Sequence, residues 1–127
     1  MSAPERWGFA CVCWLYAGRV DLLSHPAREA IELNPLAVSP MVVLELQYLR
    51  EIGRLRHGPK RVIAALRADL GLSLSDLPFA AVAARAHTFS WTRDPFDRLI
   101  AAQAALARAR LVTRDEVIRR KFRLALW

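Results

Sequence analysis

Short apolar runs recur between stretches patterned as helices, and this alternation constrains the fold more than any other feature of the chain. Leu36-Ala37-Val38 and Leu111-Val112-Thr113 have strand composition, and Leu72-Ser73-Leu74 alternates as a short strand does. Prolines mark the helix starts between them, at Ser39-Pro40, Pro59, Pro78 and Asp94-Pro95. Proline suits the first helical position because its missing N–H would have no partner there, and Ser or Asp before it caps the next amides.

The expected helices are Pro26 to Leu33 behind Ser24 or His25, Pro40 to about Arg54, Pro59 to near Gly71, Pro78 through His87, the Asp94-capped helix to about Ala109, and a basic helix from about Glu116. Ala10 to Ala17 fits a helix or a buried strand. No repeat, low-complexity tract or linker interrupts the pattern, so residues 1–127 are expected to form a single domain. Strands separated by helices pair in parallel, giving an α/β chain whose sheet is covered on both faces. In such sheets ligand sites form beyond the carboxyl ends of the strands.

Hydrophobic residues at 54% and charged residues at 24% belong to a globular chain, not a disordered one. A net charge of +7 favours a polyanionic partner, whether nucleic acid, acidic protein or anionic membrane surface. Cys11 and Cys13 are too close in sequence to bridge one another readily, and His25, His57 and His87 are scattered, which disfavours zinc. The cysteines read as small buried apolar side chains of a reduced, cytoplasmic protein. The run Phe9 to Ala17 is far too short to cross a bilayer and lacks a signal-peptide cleavage pattern.

Carboxylates at three places stand out. Glu45 lies in the apparent apolar stripe of PMVVLELQYLREIGR, formed by Met41, Leu44, Tyr48 or Leu49, Ile52 and Leu55. A carboxylate on a buried face normally has a partner; Glu45 is either a partly solvated or salt-bridged residue at the edge of the stripe or a metal ligand. Asp97 follows the Asp94 cap in RDPFDRLIAAQA, where both acids also suit a helix start. Asp115 stands two residues past Leu111-Val112-Thr113, at the carboxyl end of a strand, where it also suits a helix cap. Together, Glu45, Asp97 and Asp115 form an all-oxygen set that suits magnesium or manganese.

SPMVVLELQYLREIGR (39–54), RDPFDRLIAAQA (93–104), LVTRD (111–115) and WLYAGRVDLLS (14–24) resemble, in order and at matching intervals, the motifs of PIN-domain proteins, especially VapC toxins of bacterial toxin–antitoxin pairs. The resemblance implies an α/β/α sandwich with a short central parallel sheet and a Mg2+- or Mn2+-dependent endoribonuclease. It places Glu45, Asp97 and Asp115 on the second, third and fourth acidic positions of the family, with Asp94 and Thr113 on accessory positions. It also implies a cognate antitoxin and a homodimer.

The N-terminus departs from that pattern. The first acid of the family falls on Gly8, and the residues before it, Ser2-Ala3-Pro4-Glu5-Arg6-Trp7, are poor material for a central strand. The first strand is therefore expected to be degenerate. Three explanations stand open: a toxin that has lost its activity, a shifted start or reading frame, or a strand displaced to Phe9 to Val12 with Glu5 or a water in place of the acid. The corresponding alternative function is an inactive PIN-fold module that binds antitoxin or RNA.

RNA is expected to meet Arg54, Arg56 and Lys60, with His57, Arg61 and Arg67 in the same cluster, and Arg114 with Arg119, Arg120, Lys121 and Arg123 in a second. The helix around Leu46, Tyr48 and Leu49 is a candidate partner surface, with intramolecular core as the competing reading. Trp127 is expected to pack down.

Overall fold

The computed structural model describes residues 5–7, 12 and 15–127. Its strands are β1 (Glu5–Trp7), β2 (Leu36–Val38), β3 (Ser73–Leu74), β4 (Leu111–Val112) and β5 (Ala125–Leu126). Its helices are α1 (His25–Leu33), α2 (Pro40–Glu51), α3 (Pro59–Leu70), α4 (Phe79–Ala86), α5 (Pro95–Ala107) and α6 (Glu116–Lys121). A 3-10 turn, Val20–Leu22, precedes α1, and Val12, Leu15 and Tyr16 are also helical.

The expected caps form. Ser24 accepts from the Ala27 N–H (3.2 Å), Ser39 from Met41 (3.1 Å), Asp94 from Phe96 (2.8 Å) and Asp115 from Ile118 (2.9 Å). Helix α3 ends at Gly71 in the left-handed region (φ 68°), where a residue without a Cβ is least strained. Helix α2 stops at Glu51, short of the expected Arg54. Gly53 turns left-handed (φ 80°) and the Arg54 N–H closes on the Leu49 carbonyl at 2.8 Å, which ends the helix early.

The sheet is five-stranded, in the order β3-β2-β1-β4-β5, and every pairing is parallel. All three residues of β2 and both of β4 are buried. Successive strand residues point to opposite faces, so both faces of the sheet are covered. The core beneath runs through Val38, Val42, Leu46, Leu66, Leu72, Ile100 and Leu111. Trp127 packs against it, as expected.

The first strand corrects the sequence reading. Glu5–Trp7 forms a strand and takes the central place, with Trp7 level with Val38 on one side and Val112 on the other. The paired residues begin at Glu5, and Pro4 lies outside the described residues. Two parallel neighbours supply the hydrogen bonds that side-chain composition alone would not favour. Val12 is helical, which removes it from the displaced strand Phe9 to Val12. Gly8, Cys11 and Cys13 lie outside the described residues.

Helix α2 corrects a second expectation. Its core face is Val42 and Leu46, while Leu44, Tyr48 and Ile52 of the expected core stripe are 54%, 51% and 49% exposed. The helix is apolar almost all round, so periodicity did not select a face. Leu46 is accordingly core, not partner surface, and Tyr48 is exposed.

A buried hydrogen bond ties α2 to α5. The Ser39 hydroxyl donates to the Gln103 Oε1 at 3.0 Å while accepting from the Met41 N–H, and both side chains are buried. Ser39 is therefore both cap and cross-link. Ser39→Ala should lower the unfolding free energy by about 2 kcal/mol, from the lost cap and an unsatisfied buried amide. Gln103→Met should cost about half as much, since the cap survives. Urea unfolding checks the order, and equal losses would remove the capping role.

Candidate functional site

The strand order reverses around β1: the chain steps from β1 to β2 and β3 on one side, then crosses to β4 and β5 on the other. That reversal opens a crevice past the carboxyl ends of β1 and β4. Thr113 and Asp115 follow β4 there, and Gly8 follows β1 in sequence. Thr113 is buried and its Oγ1 accepts from the Asp115 N–H at 3.2 Å, which fixes the turn into α6.

Asp94 caps α5 and accepts from the N–H groups of Phe96 and Asp97. Its role as a cap is thus observed. Asp97 sits half-buried in the first turn of the same helix. The flanking arginines do not neutralise these acids: Arg93 donates to the Ser90 carbonyl (3.0 Å) and Arg98 to the Thr92 carbonyl (2.8 Å). Glu45 is half-buried on α2, between the core residue Leu46 and the exposed Leu44.

The acids act on one another. Burial raises Glu45 to about 7, with Asp97 and then Asp94 adding to the rise. Burial raises Asp97 to about 6, with Asp94 and then Asp115 adding. Carboxylates from α2, α5 and the end of β4 therefore share one field. Neither Glu45 nor Asp97 has an ion-pair partner among the described residues.

Among the described residues, no three His, Cys, Asp or Glu side chains stand close enough to cage a metal ion. The arrangement is a shared negative field rather than a closed cage. The donor chemistry, oxygen only with raised proton affinity and no protein cation in place, suits a hard divalent cation. Glu45 and Asp94 also line an open groove of about 550 Å³ with Tyr48, Leu49, Arg93 and Phe96. The Tyr48 and Phe96 rings face one another there, with centroids 6.5 Å apart.

Of the expected RNA contacts, Arg54, Arg56, Lys60 and Arg114 are all exposed. Arg114 precedes Asp115, and the other three cluster around the α2–α3 turn. Sequence reasoning missed the Tyr48–Phe96 pair, the Ser39–Gln103 bond, and the part Arg50 plays beside His57. Gln103 carried a signal, as the one polar side chain within AAQAALA.

The two raised carboxyls make stability fall as pH rises. Below their unfolded values, near 4, both states are protonated and no penalty exists. The penalty grows from about pH 4 and levels off above about 6 for Asp97 and about 7 for Glu45. The Tm should therefore drop between about pH 5 and about pH 8 beyond the trend of a Glu45→Gln variant, and Mn2+ should restore it mainly at the higher pH. Melting curves at both pH values, with and without Mn2+, decide this. A Glu45→Gln protein with an unchanged pH slope would break the argument.

A family model described as the PIN domain matches residues 13–123. No curated protein matches the sequence significantly. Among solved structures, the fold is similar to a chain of the crystal structure of VapBC2 from Rickettsia felis bound to a DNA fragment from their promoter, with a TM-score of 0.69 and 18% identity over 97% of this chain and 96% of that one. With the parallel sheet in β3-β2-β1-β4-β5 order, the match over residues 13–123 places this chain in the PIN-domain family.

Proposed function

We propose that the chain is the toxin of a type II toxin–antitoxin pair, a metal-dependent endoribonuclease that hydrolyses RNA phosphodiester bonds. The observation that carries this reading is that Glu45 and Asp97 are half-buried without an ion-pair partner among the described residues; burial raises both, Asp97 adds to the rise of Glu45, and Asp115 adds to that of Asp97. Structural carboxylates are ordinarily paired or solvated, and an unpaired half-buried set is a functional signal. The similar fold in the VapBC2 structure supports an antitoxin as partner. A homodimer in the cytoplasm completes the proposal. Among the described residues, no helix is long and apolar enough to cross a membrane.

Glu45, Asp97 and Asp115 would hold Mg2+ or Mn2+ by drawing closer together than they stand here. Such an ion, when bound, binds phosphate oxygen and lowers the pKa of water. Asp94 holds the first turn of α5 and so fixes where Asp97 points. Thr113 does the same for Asp115 through its backbone N–H. Arg54, Arg56, Lys60 and Arg114 supply positive charge outside the acidic crevice, without which a polyanion would be repelled.

Gly8 favours a second reading, an inactive PIN-fold module that keeps its antitoxin or RNA surface. Trp7 ends β1 level with Val38 and Val112, so the next residue in sequence follows the carboxyl end of the central strand and is a glycine. One carboxylate fewer weakens cation binding and leaves attacking water less well oriented.

The two readings separate in one assay. With Mn2+, the chain should cleave single-stranded RNA slowly, EDTA should abolish the cleavage, and Asp97→Asn should reduce it by about 100-fold or more. Gly8→Asp should raise it. Manganese binding without cleavage, before and after Gly8→Asp, would retire the nuclease and leave the binding module.

A further inference from the structure

A second cavity, of about 280 Å³, lies between the end of α2 and the start of α3. Gln47, Arg50, His57, Gly58, Lys60 and Arg61 line it, and no acid does. Glu51, the neighbouring carboxylate on α2, is held by the Gln47 amide at 2.8 Å. Like charges gathered in a concave site repel, and an anion relieves that repulsion.

The main chain is arranged to the same end. Gly58 caps α3 without a side chain, and Pro59 has no N–H to offer. The amides of Lys60 and Arg61 in the first turn are thus left without a capping side chain. Gly58 is buried, and a Cβ there would run into the Arg50 guanidinium. Glycine lets the guanidinium lie over the helix start, so its donors and the positive end of α3 face one space.

We propose that this cavity is a phosphate site that holds a phosphodiester of the RNA strand away from the carboxylate groove. The assignment to RNA rests on the nuclease reading; the phosphate chemistry stands on the cavity. Gln47 and Arg50 lie two and five residues beyond Glu45, so they project roughly 140–200° around α2 from it. The phosphate held here is therefore not the one attacked. It anchors a more distant part of the strand, and the exposed Arg54 and Arg56 sit in the turn between Arg50 and His57, both of which line the cavity.

His57 reports on the site from within. Its ring packs edge-on against Tyr16, with centroids 5.9 Å apart. Burial, then Arg61, Arg56 and Arg50, hold its pKa below the usual imidazole range. An anion among those guanidiniums offsets their field and raises that pKa.

NMR titration of His57 in the full chain, with EDTA present so that catalysis plays no part, tests the proposal. Inorganic phosphate should raise the His57 pKa by about one unit, and a single-stranded RNA oligonucleotide should do the same at a far lower concentration. Chloride at matched ionic strength should not. Arg61→Gln should weaken both ligands about tenfold. Gly58→Ala, which keeps every charge but displaces Arg50, should also weaken both, and unchanged melting would show that it folds.

If phosphate leaves His57 unmoved, or Gly58→Ala binds as the parent does, the site is overturned. If phosphate binds but RNA does not reach His57, the assignment to the strand is overturned. If RNA binds elsewhere and is still cleaved with Mn2+, the nuclease reading survives and this anchor does not.

Discussion

Two half-buried carboxylates, Glu45 and Asp97, left without a counter-ion among the described residues, are the constraint around which the candidate site is arranged. Glu45, Asp97 and Asp115 arrive from α2, from the start of α5 and from the end of β4; burial makes Asp97 and Glu45 harder to ionise, with Asp115 adding to the effect on Asp97 and Asp97 to that on Glu45. A sequence selected for stability alone would neutralise such a group. The nearest arginines in sequence, Arg93 and Arg98, were available for that and instead hold main-chain carbonyls. The negative field is preserved, and its natural compensation is a cation from outside the chain.

Holding mutually repelling groups in place requires rigid supports. The cap of Asp94, the cap of Asp115 and the Thr113 bond to its backbone fix two of the acids from within two or three residues. Glu45 has no such local brace. Its helix is fixed instead by Ser39, which caps α2 and bonds Gln103 in the middle of α5. The same contact joins the Glu45 helix to the Asp97 helix. Arg93 lines the groove beside Glu45 and Asp94, and further positive charge gathers in the α2–α3 turn and along α6. In α6, Arg119, Arg120 and Lys121 occupy the last turn, where the helix dipole favours cations.

What the sequence made legible was local. Ser-Pro and Asp-Pro pairs encode helix starts within four residues, and β2 and β4 read as strands because burial on both faces leaves only apolar residues. The acids were legible as candidates because Glu45 interrupts an apolar helix and Asp115 follows a strand. What escaped depended on partners distant in sequence. Glu5-Arg6-Trp7 has no strand signature of its own and is a strand because β2 and β4 flank it. The buried face of α2 was decided by the sheet and α5, since residues 41–44, 46, 48, 49 and 52 are all apolar. The cavity at the start of α3 required Arg50 and His57 to meet across a turn, which neither spacing nor composition displays.

The glycine at position 8 bears on this arrangement in two opposing ways. An aspartate after the central strand would add another negative charge to a field that already pushes Glu45 to about 7. The apo protein would then be less stable and more of its carboxyls would stay protonated near neutral pH. A glycine carries no such charge, and under the proposed nuclease reading it would also leave one carboxylate fewer to hold a divalent ion. Under that reading the remaining acids would be easier to keep ionised and less able to hold a metal. Stability and cation affinity are set against one another at a single position, as they are wherever like charges are gathered for an external counter-ion.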